Sequence, residues 1–205
     1  MKSFPVCCLL PTVYFKGQDV GAIRESEPVK LFVGFIASSQ EALIEASEAL
    51  RSHLGPTDME SEAIPFNFTH YYESEMGGSL IRKFASYERL VRPEELVELK
   101  LLTQAIEDDF GLRKTFSMKR PANLDPGYIG ATKLVLATTK DASHRIYLGR
   151  GIFAEITLQF RSGAFAPLPW TYPDYRTQSH LEFFSRVRLL YLEQLRGLRK
   201  ENQEP

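Results

Sequence analysis

Cysteine is almost missing from this sequence: of 205 residues only Cys7 and Cys8 are cysteines, and they are neighbours. Adjacent cysteines rarely meet the geometry of a structural disulfide, which excludes a small secreted disulfide scaffold. An excess of one charge is lacking too. Lys and Arg number 25 against 26 Asp and Glu, a formal net charge of −1. That speaks against a continuous nucleic-acid coat or a polybasic membrane patch, though not against a local basic cleft. No stretch approaches the roughly 20 apolar residues of a membrane-spanning helix. Familiar reaction signatures are absent as well: no phosphate loop, no Gly-x-Gly-x-x-Gly, no nucleophile elbow, no Cys-x-x-Cys. His53, His70, His144 and His180 lack zinc spacing.

What remains is ordinary for a soluble globular protein, at 43% apolar and 25% charged residues. The length suits one well-buried core. The apolar run Phe4–Leu10 is short, contains Pro5, ends at Pro11 and has no small-residue cleavage signal behind it. Residues 1–27 therefore read as an appended, partly disordered tail and residues 28–205 as one domain. A cytoplasmic home follows by default.

Leu31–Ala37 is a continuous apolar run, as in a strand covered on both faces. Ser38 with Glu41 has a capping-box pattern, and Leu43, Ala46, Leu50 and Leu54 keep helical spacing up to Gly55. Residues 56–76 look extended, and 79–90 alternate as a strand. Pro93 followed by two acids opens a second helix, with Leu96, Leu99, Leu102, Ile106 and Phe110 as its buried stripe. Lys100, Thr103 and Glu107 fall on the opposite side, expected to be solvated. Lys133–Thr139 reads as another buried strand.

Residues 144–148 and 152–160 read as a hairpin around the loop Gly149-Arg150-Gly151, with Leu148 opposite Ile152. In the second strand Ile152, Ala154, Ile156, Leu158 and Phe160 form the buried face. That register sets Ile146 against Ala154 and Arg145 against Glu155, and puts His144 on the buried face with Ile146 and Leu148. A last helix starts near Ser179 and buries Phe184, Val187, Tyr191, Leu195 and Leu198. The expected fold is α+β: a mixed or antiparallel sheet with three main helices, near 39–54, 93–110 and 179–199, ending in a long C-terminal helix.

Between Asn123 and Arg176 the versatile side chains concentrate in turns and strand ends. Asp125-Pro-Gly-Tyr128 has the pattern of a type II turn. Asn123, Asp125 and Tyr128 there are candidates for ligand or Mg²⁺ contact. Thr138, Thr139, Lys140, His144 and Arg145 crowd one strand end, a set suited to phosphate. Arg145–Glu155 reads first as a cross-strand ion pair, with Glu155 as the alternative catalytic carboxylate. His70, Tyr72 and Glu75 near Gly77-Gly78 could wall a pocket. Arg176 reads as an anion clamp with Asp174 as its orienter, or else the Trp170–Arg176 segment is an aromatic plug.

Pro28-Val-Lys-Leu-Phe, Thr69-His-Tyr-Tyr-x-x-Glu-Met-Gly77, Asn123-x-Asp-Pro-Gly-Tyr128, Leu136-Ala-Thr-Thr-Lys140, His144-Arg-Ile-Tyr-Leu-Gly149 and Trp170-Thr-Tyr-Pro-Asp-Tyr175 stand in one order along the chain. Together they resemble the bacterial family called domain of unknown function 4416, from about residue 28 to about residue 195. The resemblance implies no activity, substrate or site residue. A weaker likeness is to the two-histidine phosphoesterases. Here His70 and His144 are followed two residues on by Tyr72 and Ile146, so the hydroxyl partner of that motif is missing both times.

These residues point to a site for a phosphate-bearing small molecule or nucleotide, with hydrolase or transferase chemistry as an extension. Lys140, His144 and Arg145 hold the anion in this reading, and His144 doubles as acid and base. Asp125 or Glu155 orients a proton or a metal, and Tyr72 or Tyr147 stacks a ring. The alternative is a non-catalytic protein- or RNA-interaction module. An enzyme requires the His70 and His144 segments to converge on one hollow with Asp125 or Asp174.

Overall fold

The computed structural model describes residues 25–113 and 115–201, so the tail expected up to residue 27 lies almost wholly outside the described residues. The chain runs β1 (Val29–Ala37), α1 (Gln40–Leu54), β2 (Thr57–Glu60), β3 (Ile64–Phe66), the single turn α2 (Glu73–Met76) and β4 (Leu80–Val91). A 3₁₀ turn at Pro93–Glu95 leads into α3 (Leu96–Arg113). Then come β5 (Ala122–Ile129), β6 (Lys133–Thr138), β7 (Ile146–Gly149), β8 (Ile152–Arg161), β9 (Ala164–Pro167) and α4 (Gln178–Glu201). The class is α+β, as the sequence implies, and every strand pairing is antiparallel.

The nine strands form one sheet in the order β2-β4-β1-β5-β6-β8-β7, with β3 added to β4 and β9 to β8. β1 is central and buried along its whole length. Its alternation divides the apolar run between two cores. Leu31, Val33 and Phe35 pack with Leu43, Leu50, Ile106 and Phe110 under α1 and α3. Phe32 packs with Phe84, Phe183, Phe184 and Val187 under α4.

Helix starts and strand phases differ locally from the sequence reading. The α1 cap is Ser39, one residue later than Ser38: its Oγ accepts from Ala42 N at 3.2 Å. α4 begins earlier, with Leu181 N donating to Thr177 O at 3.0 Å, and Leu198 is exposed rather than buried. The hairpin register Ile146–Ala154 is as expected, but Gly149, not Leu148, pairs with Ile152. Arg150 and Gly151 both have positive φ, making a two-residue type I′ turn.

β8 departs from simple alternation. β6 pairs Leu134 with Leu158 but Val135 with Ile156, leaving Thr157 as an inserted bulge residue. A bulge flips the face of every residue beyond it. Glu155 and Leu158 are therefore both buried, while Ile156 is exposed. β7 lies at the sheet edge, where Ile146 is 68% exposed and Leu148 is exposed too. The expected buried face of β7 is thus a solvent face.

Asp125-Pro-Gly-Tyr128 is strand rather than turn. Asp125, Pro126 and Gly127 pair with Gly34, Val33 and Phe32 of β1. On its other side β5 meets β6 only at Gly127, Tyr128 and Ile129. The ladder stops at Pro126, whose missing N–H cannot extend it, and the two strands part. Gly127 is required by close approach: a Cβ there would lie 2.4 Å from the Val135 carbonyl oxygen and 2.8 Å from the Phe32 ring. Gly127→Ala is expected to destabilise the fold by about 1–3 kcal/mol. Gly78→Ala, with nothing within 4 Å of the added carbon, should stay within about 0.5 kcal/mol. Urea denaturation of both variants checks this, and equal midpoints would refute the close-packing account.

Candidate functional site

Where β5 and β6 separate, Leu124 turns its backbone N–H and C=O toward a strand that is not there. Helix α3 supplies the partners instead. Glu107 Oε1 accepts from Leu124 N at 2.8 Å, and Lys100 Nζ donates to Leu124 O at 2.9 Å. Both side chains are buried, as is Thr103 between them. The stripe expected to face solvent is therefore an inner face, and this is the largest correction to the sequence reading.

The brace continues as a chain of charges. Lys100 Nζ is 3.3 Å from Asp125 Oδ1. Arg120 donates to Glu107 Oε2 through Nε at 3.1 Å and Nη2 at 2.5 Å, and also to Asn123 Oδ1. Asn123 Nδ2 in turn donates to Asp125 Oδ2 at 2.6 Å. Burial pushes the Glu107 carboxyl up from its ordinary range, with Lys100 and Arg120 pulling the other way.

The gap between the strands opens into a cavity of about 660 Å³, within the ordinary range for small-molecule sites. Its inner wall carries Arg82, which is 1% exposed, and Tyr175. Arg82 stands on the α4 face of β4 between Leu80 and Phe84. Its guanidinium lies 4.2 Å from the Phe84 ring centroid and 5.1 Å from that of Tyr175. Nε is 2.9 Å from Asp174 Oδ2 but off the hydrogen-bonding direction, so the contact is an ion pair without a directed bond. Arg82 Nε, Arg82 Nη1 and the Tyr175 hydroxyl have no hydrogen-bond partner. Phe66, Phe68, Tyr71, Tyr72 and Tyr172 supply aromatic wall.

Glu155 forms the side opposite Arg120 and is 1% exposed. It receives Arg145 Nε at 2.9 Å and lies 3.1 Å from His144 Nε2. Arg145 also donates to the Lys140 carbonyl at 2.9 Å and to Tyr172 Oη at 2.8 Å, so its guanidinium is fully engaged. Burial and the nearby Glu155 charge push the Tyr172 phenol up to about 12. The His144 ring stacks on Trp170 at 5.0 Å. Lys140 Nζ donates to Tyr71 Oη at 2.8 Å across the rim, and its backbone N–H donates to Thr138 Oγ1.

Of the residues expected to form a site, Tyr72, Asn123, Asp125, Thr138, Thr139, Lys140, Arg145, Glu155 and Asp174 all line this cavity. His144 sits behind Glu155 rather than on the lining. His70 is turned outward, with its side chain 92% exposed and paired to Glu73, so the two histidines do not converge. Tyr147 is exposed at the edge strand and stacks obliquely on Phe153. Arg176 is occupied by the carbonyls of Leu168, Pro169 and Thr171, and Asp174 pairs with Arg82, so no clamp of Arg176 and Asp174 exists. Among the described residues no group of three or more His, Cys, Asp or Glu is placed to hold a metal ion. Asp125 has both oxygens engaged by Lys100 and Asn123. Lys100, Arg120, Glu107, Arg82 and Tyr175 were not anticipated. The available signal for Arg82 was a lone cation in the even-numbered apolar row Leu80, Phe84.

The family model described as Domain of unknown function (DUF4416) matches residues 27–191. The chain belongs to the DUF4416 family. No curated protein and no solved structure matches it. The DUF4416 match spans every strand and the cavity lining, so the cavity belongs to the family's own region of the chain. No helix among the described residues is long and apolar enough to cross a membrane.

Two outcomes are expected for this DUF4416 chain. Lys100→Met strands the Leu124 carbonyl and leaves Asp125 and Glu107 short of a cation. A loss on the order of 3 kcal/mol is expected in chemical denaturation, and a loss under about 1 kcal/mol would contradict the brace. His180, buried against Phe84, donates from Nδ1 to the Asp174 carbonyl at 2.8 Å. Burial, helped by Arg82, lowers its pKa from the ordinary 6.5. Above about pH 6.5 both folded and unfolded states hold it neutral, so it has no effect. As pH falls below that value the unfolded chain takes up the proton first, and stability is lost. His180→Gln should show a shallower decline than the natural protein between pH 7.5 and 5.5, read as the shift of the urea midpoint.

Proposed function

We propose that the cavity binds a small phosphate-bearing molecule or nucleotide, with the phosphate at the rim formed by Lys140, Thr138 and Thr139. One observation carries this reading. Of the five cations lining the cavity, four stand against a carboxylate: Arg82 with Asp174, Lys100 with Asp125, Arg120 with Glu107, and Arg145 with Glu155. Lys140 has no carboxylate partner among the described residues and holds only a phenol. A ligand anion would meet its uncompensated charge there, and two threonine hydroxyls stand beside it. The aromatic wall suits a flat ring next to that phosphate.

Binding, rather than hydrolysis or group transfer, is what the contacts support. The carboxylates that could act as a base each already neutralise a cation, and neither His70 nor His144 lines the cavity. The rival reading, a protein- or RNA-interaction module, draws on the exposed edge strand, where Ile146, Tyr147 and Leu148 stand in a row.

Isothermal titration with inorganic phosphate, ribose 5-phosphate and nucleoside monophosphates tests the first reading. Lys140→Ala should weaken every phosphate compound by about tenfold and leave the urea midpoint within about 0.5 kcal/mol of the natural protein. If no phosphate compound binds while an oligoribonucleotide or protein partner does, the interaction module replaces it.

A further inference from the structure

The inner end of the cavity has a different chemistry from its rim. Two groups there carry donors without partners, Arg82 at Nε and Nη1 and Tyr175 at its hydroxyl. Leaving buried donors unsatisfied is costly, and sites where it happens call for an explanation. The two groups come close together beside Gly34: Nη2 of the same guanidinium and Tyr175 Oη each lie 3.1 Å from the point that a Cβ on Gly34 would occupy. Burial raises the Tyr175 phenol well above its ordinary value, so the hydroxyl keeps its proton. Both groups are on the cavity lining.

The charge of the missing acceptor follows from the surroundings. Arg82 is already faced by Asp174 at 2.9 Å, and Asp125 also acts on it. A further buried anion would find no free cation at this end, and burying an unmatched charge is strongly unfavourable. A neutral oxygen with two lone pairs accepts from both donors without that penalty. A carbonyl on a planar ring meets this requirement.

We propose that Arg82 and Tyr175 form a subsite for an uncharged ring carbonyl, so that a nucleotide binds base first, with its carbonyl at Arg82 and Tyr175 and its phosphate at Lys140. This rests on the phosphate reading above and adds the polarity of binding and a preference among bases. A base with an exocyclic carbonyl fits; adenine, which has none, does not.

The test compares UMP, GMP, AMP, ribose 5-phosphate and uridine by isothermal titration against the natural protein, Tyr175→Phe and Lys140→Ala. Tyr175→Phe removes a hydroxyl that has no partner inside the protein, so its melting temperature should be equal or higher. Its affinity for UMP and GMP should fall about tenfold, while ribose 5-phosphate is unaffected. UMP and GMP should bind at least about tenfold more tightly than AMP. Equal binding of AMP, or of ribose 5-phosphate, would overturn the carbonyl subsite and leave the phosphate reading standing. Uridine binding as tightly as UMP, with loss in Tyr175→Phe but not in Lys140→Ala, would overturn the phosphate reading and retain the subsite. If none of the five compounds binds, or if Tyr175→Phe melts lower without changing any affinity, the hydroxyl is structural and the subsite is rejected.

Discussion

The site depends on two hydrogen bonds at Leu124, one that its carbonyl accepts from Lys100 and one that its N–H donates to Glu107. A strand in the middle of a sheet ordinarily has both edges satisfied by neighbouring strands. Here β5 loses its β6 neighbour at Pro126, and α3 replaces the lost partner with one donor and one acceptor at helical spacing i, i+7. The substitution keeps the strands apart without leaving an orphaned peptide group. The cavity is the space so created.

Holding a helix against an open strand edge requires charged side chains in a region shielded from water. Each is matched close by. Glu107 is met by Arg120, Lys100 by Asp125, Arg82 by Asp174 and Arg145 by Glu155. Such pairs contribute little net stability, since their desolvation offsets their attraction. What they fix is geometry, because removing either member leaves an uncompensated charge. The consequence is a polar cavity whose cations are nearly all neutralised in place, with Lys140 at the mouth the exception.

Elements with one dominant period were legible. The apolar run of β1, the stripes of α1 and α3, that of α4 as far as Leu195, and the hairpin pairing of Ile146 with Ala154 follow from local pattern and appear in the structure. Arg145 meets Glu155 as the register requires. Most of the candidate residues between Asn123 and Asp174 do share one hollow. The failures have specific causes. Pro126-Gly127 carries the same letters whether it turns the chain or ends one side of a ladder. Lys100, Thr103 and Glu107 look identical on a solvated face and against an open strand edge. The Thr157 bulge reverses the face of the strand, so alternation counted through it gives the wrong side for Ile156. The only local sign of Arg82's burial was its place in the apolar row with Leu80 and Phe84, and its partner Asp174 is 92 residues away in sequence.

By itself the sequence determined the class of the fold, the positions of its long elements and the neighbourhood of the polar cluster, because these rest on contacts between residues a few positions apart. Only the tertiary structure decided which polar groups turn inward and which meet each other. Burial of a charge depends on the opposite charge that long-range packing brings to it, and no local period records that distance.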